Sequence, residues 1–165
     1  MTDTLSTPEM LERIQRIRRE KLKTQEVVPL DAFRPTGTSL QRKTILVIDD
    51  EPIMRSVLVR IFEKEGFDVL AIADALELED YLGKYQPAMI LLDINLPWVD
   101  GYELCRLFKR HDDLRHVPIV FVSGNQSEEQ VRRGFEAGCD DYIRKPFCVD
   151  ELKDTVFTLL RLSQS

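Results

Sequence analysis

Several apolar runs in this chain end on a residue that could do chemistry. Asp49 and Asp50 follow "ILVI", Asp93 follows "MILL", Ser123 closes "IVFVS" and Lys145 follows "DYIR". One acid after "ILVI" needs no special reason, because Asp is a good helix cap and Pro52 suits a first helical position. Asp49, Asp50 and Glu51 in a row exceed what a cap requires. Glu51 is read as a helix-start residue favoured by the helix dipole. If the carboxylates of Asp49, Asp50 and Asp93 converge, they repel unless a cation or shared protons offset them. A hard divalent ion with oxygen ligands does this. Mg2+ in particular is usually held by one or two carboxylates, keeps several waters and leaves room for a phosphate oxygen. The Ser123 hydroxyl and the Lys145 ammonium then suit the remaining oxygens of a phosphoryl group, although Lys145 can also simply neutralise the acids.

Taken singly, these residues are ordinary. Asp93 before "NLP" is a turn acid, Asn95 a turn residue, Ser123 a loop hydroxyl, Tyr142 a half-buried strand aromatic and Lys145 a surface charge. Only their combination on one rim points to chemistry. His111 and His116 lie in a charged loop and read as solvated surface residues.

The elements that must position them follow from the apolar pattern. "TILVID" and "AMILLD" are continuous apolar runs, as expected for strands covered on both faces, and "DVLAI", "PIVFVS" and "DYI" are shorter strand candidates. Between them, Met54, Val57, Leu58, Ile61 and Phe62 form an amphipathic helix closed by Gly66. Weaker helices are expected at about 75–84 and 99–111. Ser127 with Gln130 resembles a capping box opening a helix that Gly138 ends, and 149–162 form the last helix. Five strands alternating with five helices argue for a doubly wound α/β domain with a parallel sheet, whose ligands bind beyond the carboxyl ends of the strands.

Residues 44–165 closely resemble the receiver domain of two-component response regulators. The likeness rests on the acid pair of "VIDDEP", on "LLDINLPWVDG", on "FVSGN" and on "AGCDDYIRKPF", in that order. It implies a flavodoxin-like five-stranded parallel sheet of order 2-1-3-4-5. It further implies that Asp93 accepts a phosphoryl group from a sensor histidine kinase or phosphotransfer protein. Asp49, Asp50, Asp93 and the backbone carbonyl of Asn95 would hold Mg2+, and Lys145 would stabilise charge on the transferred group. Ser123 and Tyr142 would act as the switch, with the face of the domain's fourth helix, fifth strand and fifth helix changing its preferred partners. A chain of this kind is no conventional enzyme but promotes its own phosphorylation and dephosphorylation. Lys145-Pro146 resembles the family's cis peptide. Trp98 and Val99 depart from the usual smaller or methionine-type residues, and Trp98 is expected to cover or contact the acceptor. Gly124 stands where alanine is common and leaves the site open.

The 165 residues suit one domain with an appendage. Residues 1–43 carry nine Lys/Arg and six Asp/Glu, whereas 44–165 carry fourteen and twenty-three. An acidic domain of this kind argues against gripping a phosphate backbone, so direct nucleic-acid contact is not expected of it. Cys105, Cys139 and Cys148 lack metal-ligand spacing and read as reduced packing residues of a cytoplasmic protein. No signal peptide or membrane span is visible.

Residues 1–43 form an extension to the receiver domain at 44–165. Its helix is expected over about 8–23, with Thr7-Pro8-Glu9 as cap and first turn and Met10, Leu11, Ile14, Ile17 and Leu22 on one side; "TQEVVPLDAFRPTGTSLQRK" follows as a linker. The readings open for this helix are a solvated tail, docking to a partner, homodimerisation through the apolar stripe, or contact with an anionic surface. Protein contact is favoured. The domain's fourth helix, fifth strand and fifth helix offer a second dimer face. Because the sequence stops three residues after the last helix, the output is expected through a downstream protein target, or the chain is part of a longer protein. A phosphorylation-independent receiver-like interaction module is the alternative. A phosphatase of the aspartyl-phosphate class would need an acid at Asn95, and a flavodoxin-type cofactor site would place its phosphate loop where this chain has acids.

Overall fold

The computed structural model describes residues 5–21, 42–82, 84–124 and 127–164. In chain order these form α1 (Thr7–Lys21), β1 (Thr44–Ile48), α2 (Pro52–Lys64), β2 (Asp68–Ile72), α3 (Ala75–Leu82) and β3 (Met89–Leu92). α4 (Gly101–Lys109), β4 (Ile119–Ser123), α5 (Glu128–Ala137), β5 (Asp141–Arg144) and α6 (Val149–Leu162) complete the series. The five strands pair in parallel in the order β2-β1-β3-β4-β5. The alternation of runs leads to a doubly wound parallel sheet, and its order is the flavodoxin-like 2-1-3-4-5 that the family resemblance implies. Residues 22–23 of the expected first helix and nearly all of the linker lie outside the described residues.

The continuous apolar runs are explained by two cores, one on each face of the sheet. Along β1, Leu46 and Ile48 join the layer under α3, α4 and α5, while Ile45 and Val47 join the layer under α2 and α6. β3 and β4 divide in the same way, with Ile90, Leu92 and Phe121 on one side and Met89, Leu91 and Val120 on the other. Successive side chains of a strand point to opposite faces, so a strand covered twice has no polar side to show.

Local chemistry sets the helix ends. Pro52 opens α2, and Glu51 is its N-cap residue without a side-chain cap bond. Asp100 caps α4 by accepting from Tyr102 N. Ser127 and Gln130 form the full capping box of α5, and Gly138, at φ +103°, closes that helix in the left-handed region that favours glycine. Cys105 and Cys139 are buried as expected, but Cys148 is exposed at the N-cap of α6 and packs nothing away.

α1 corrects two expectations. Its cap lies one residue upstream of the expected one, where the Ser6 amide and hydroxyl both donate to Glu9 Oε2. Its apolar stripe is neither solvated nor free for a second copy: Met10 and Ile14 are 0% and 1% exposed, within the apolar layer that includes Leu78, Tyr81 and Phe108. His111, expected on the surface, is buried beneath this contact. Its Nε2 meets Thr7 Oγ1 at 2.9 Å and its Nδ1 accepts from Asp113 N at 3.2 Å. His116 is exposed.

Candidate functional site

The strand ends bring the acids together because the strands are hydrogen-bonded side by side. Asp93 N donates to Ile48 O at 2.9 Å and Asp49 N to Ile72 O at 3.2 Å, so the ladder continues one residue past β1 and β3 and sets both acids at the same rim. On the other side, Lys145 N donates to Ser123 O at 2.9 Å and ties the end of β4 to the turn after β5. The Lys145-Pro146 peptide is cis.

From this position the Lys145 ammonium reaches 2.8 Å from Asp49 Oδ2, 3.6 Å from Glu51 Oε1 and 3.8 Å from Asp93 Oδ2. Asp49, Asp50 and Asp93 each place a carboxylate oxygen within 4.8 Å of the others. Asp49 and Asp93 are buried, while Asp50 is exposed and opens the cluster to solvent. One ammonium thus faces three carboxylates, and the residual negative charge with its hard oxygen donors fits a small divalent cation such as Mg2+.

The electrostatics reflect that imbalance. Burial, with Asp49 and Asp50 adding repulsion, pushes Asp93 up to about 6 against the pull of Lys145 and the Asn95 amide. Burial also raises Asp49, although Lys145 and the Glu51 amide hold it down in part. Lys145 is drawn down by burial, but its bond to Asp49 and the surrounding acids outweigh that, so its ammonium is held more firmly than usual.

The other expected residues occupy distinct places. The Asn95 amide approaches Asp93 Oδ1 at 3.4 Å, and its side chain faces solvent. Ser123 is fully buried beside the Tyr142 phenol, which burial pushes upward while Ser123 holds it down in part. Tyr142 continues into an aromatic row: its ring centroid is 6.1 Å from that of Phe121, which packs edge-on against Tyr102 at 5.5 Å, with the Arg133 guanidinium 4.5 Å over the Tyr102 ring. Trp98 is drawn into the apolar layer on the α3–α4 side, and its indole donates to Ala73 O at 2.9 Å. It therefore fastens the loop after β3 to the turn before α3. Gly124 is exposed, and a methyl group there would meet nothing within 4 Å.

Three contributors escape the sequence reading. Glu51, read as a helix-start residue, also joins the Lys145 cluster. Arg55 Nη1 donates to Asp49 O at 2.8 Å, and its position one turn into α2 is the only signal that could have indicated it. Gly101 is required by space, since a methyl group there would lie 2.5 Å from Ile94 Cα and 2.6 Å from Asp93 O.

Comparison with known proteins agrees with this geometry. Residues 45–157 match the response regulator receiver domain. The aerobic respiration control protein ArcA of Escherichia coli K12 is 37% identical over 113 residues, which cover 68% of this chain and 46% of ArcA. RpaA of Synechocystis strain PCC 6803, a DNA-binding dual master transcriptional regulator, is 33% identical over 117 residues, or 71% of this chain and 48% of RpaA. The chain spans about half the length of these curated relatives. A putative response regulator from Chloroflexus aurantiacus superposes with a TM-score of 0.69 at 30% identity, covering 73% of this chain and 99% of that one. The receiver domain of a sensor histidine kinase from Pseudomonas aeruginosa PAO1, solved with a magnesium ion coordinated in its active-site cleft, gives 0.65 at 28% identity, covering 76% and 100%. Because RpaA is named as DNA-binding, the expectation of no direct nucleic-acid contact has no support beyond the acidity of this one domain. No helix among the described residues is long and apolar enough to cross a membrane.

Proposed function

Since the chain belongs to the response regulator receiver family and takes part in two-component signalling, we propose that Asp93 is its phospho-acceptor, supplied by a histidine kinase or phosphotransfer protein. The observation that carries this reading is the cluster of Asp49, Asp50 and Asp93 set against the Lys145 ammonium at the carboxyl rim of the sheet. An Asp93 oxygen attacks the phosphorus of a phosphohistidine in line; the P–N bond breaks as the P–O bond forms, and the imidazole leaves with the bonding pair. Lys145, 3.8 Å from Asp93 Oδ2, is close enough to pair with the arriving phosphoryl oxygens. Mg2+ would be held by Asp49, Asp50, Asp93 and the Asn95 carbonyl, and it supplies positive charge against the oxygens of the transferred group.

The acyl phosphate formed on Asp93 is labile to water, so the signal is reversible, and the open surroundings of Gly124 leave water a path to it. Asp93 and Lys145 act equally on a small phosphodonor, which makes the chain a promoter of its own phosphorylation and hydrolysis. The Ser123 hydroxyl, which lies beside the Tyr142 phenol, would turn toward a phosphoryl oxygen. That movement would be felt along Tyr142, Phe121 and Tyr102 into α5, and so at the α5–β5–α6 face where a protein target or second copy would bind.

The test is incubation with Mg2+ and acetyl phosphate. An acid-stable, base-labile phosphoprotein is expected, lost with EDTA and lost in Asp93→Ala. A chain that stays unmodified, or an Asp93→Ala variant that is still modified, rejects the reading in favour of an interaction module that works without phosphorylation.

A further inference from the structure

α1 lies away from the acid cluster, yet it is seated on α3 and on the segment just past α4, and both helices are tied at their first turns to residues 93–100. α4 starts at Gly101, whose amide donates to Ile94 O at 2.9 Å and whose hydrogen faces Ile94 Cα where a methyl group would be 2.5 Å away. There is no slack between this loop and the first turn of α4. Just beyond the other end of α4, Arg110 O accepts from Leu5 N at 2.6 Å, and His111 Nε2 meets Thr7 Oγ1 at 2.9 Å. α3 follows Ala73, whose carbonyl holds the Trp98 indole of the same loop, and it carries Glu79, which accepts from Gln15 of α1 at 3.2 Å. Two short helices therefore connect residues 93–100 with the seat of α1.

The docked arrangement is also balanced against itself. Burial of Met10 and Ile14 favours it. Opposing it, Glu79 Oε1 and Tyr81 Oη of α3 are buried with no hydrogen-bond partner among the described residues, a penalty that water would lift if the packing around α3 loosened. A contact held by Leu5, Met10, Ile14 and the partly buried Ile17 and by a few short directional bonds, with unsatisfied polar atoms on the same helix as its seat, is one that a shift of α4 can loosen.

Building on Asp93 as acceptor, we infer that α1 is a releasable latch on the α3–α4 face, loosened when a phosphoryl group on Asp93 displaces residues 93–100 and carries α4 with them. By thermodynamic linkage, docked α1 opposes occupation of Asp93 by the same factor by which occupation loosens α1.

The test uses the full chain with beryllofluoride as the stand-in for the phosphoryl group. Amide hydrogen exchange is followed with Mg2+ alone and with Mg2+ plus beryllofluoride. The latch predicts exchange in residues 7–17 faster by roughly five- to hundredfold, together with slower exchange in residues 93–100. Protection of 93–100 with α1 unchanged overturns the latch and leaves the acceptor reading standing; no response in either segment overturns both. The double variant Met10→Asp, Ile14→Asp removes α1 from its face without touching the acid cluster, and should bind beryllofluoride more tightly by that same factor. Thr7→Val, which deletes only the hydroxyl facing His111, should shift affinity in the same direction by less. Unchanged affinity in both folded variants overturns the latch.

Discussion

Lys145 Nζ lies 2.8 Å from Asp49 Oδ2, in a pair whose side chains are only 11% and 2% exposed. The two residues are 96 apart in sequence, and each is the main compensation for burying the other. Asp93 and Glu51 share the same ammonium at longer range. In the absence of metal, Lys145 is thus the resident countercharge of the acid cluster, and this relationship governs how the domain responds to substitution, pH and cation.

Replacing Lys145 with Ala leaves Asp49 buried without its ion-pair partner. Breaking a buried pair by removing one member is strongly destabilising, and with Asp50 open to water the expected loss is about 2–4 kcal/mol in EDTA. Mg2+ should return a large part of it. Urea unfolding of both chains, with EDTA and with Mg2+, measures the two effects; a loss that Mg2+ leaves untouched contradicts the countercharge role.

Asp93 has a pH signature of its own. Burial raises it from an ordinary 3.8 to about 6, so the folded chain holds this proton more tightly than the unfolded chain. That contribution to stability is fully present below about pH 4 and is lost as pH climbs through 6. Asp93→Asn, which stays neutral, should therefore be more stable than the parent at pH 7.5 in EDTA by about 1–2 kcal/mol, with the difference closing toward pH 4. Thermal unfolding from pH 4 to 8 tests this, and parallel curves for the two chains would refute it.

Gly101 and Gly124 make an internal contrast. A methyl group at 101 collides with backbone atoms of Ile94 and Asp93, whereas one at 124 meets open space. Gly101→Ala is expected to cost about 2–3 kcal/mol and to slow modification of Asp93 by shifting its loop. Gly124→Ala should stay within about 0.5 kcal/mol of the parent. Denaturant midpoints decide, and equal behaviour of the two variants would mean that the loop after β3 is not tightly packed against α4.

Trp98→Phe keeps an aromatic ring in the core but removes the pyrrole portion of the indole together with its N–H. The Ala73 carbonyl then loses its indole donor and a small void opens beside it, at a combined cost of about 2–3 kcal/mol. Exchange protection should fall in the turn before α3, and a variant with protection there unchanged would show that the indole bond does not fasten the loop.

The fold was legible where the chain is covered on both sides. Runs such as "TILVI" and "MILL" tolerate no polar face, so their strands could be recognised with no knowledge of their partners, and the acids that end them fell on one rim by topology alone. Contacts made at long sequence separation were not legible. His111 looks like a surface residue in "KRHDDLRH" because nothing local buries it; the cover comes from Thr7, 104 residues earlier. The stripe of α1 showed that the helix would bury one face, but Met10 and Ile14 fit an intramolecular seat and a second copy equally well by pattern. Trp98 presented a similar difficulty, since the carbonyl that captures its indole belongs to Ala73, in a turn 25 residues away. Gly101 carried a steric requirement invisible without coordinates, because the atoms it avoids belong to the backbone of Ile94 and Asp93.

Reductive trapping of the phosphorylated residue identifies the acceptor chemically. After incubation with Mg2+ and acetyl phosphate, borohydride reduces an aspartyl phosphate to homoserine, and peptide mass spectrometry locates it. Homoserine is expected at position 93, dependent on Mg2+ and strongly diminished in Lys145→Ala. Homoserine at another acid, or none at position 93 under conditions that modify the chain, would contradict Asp93 as the acceptor.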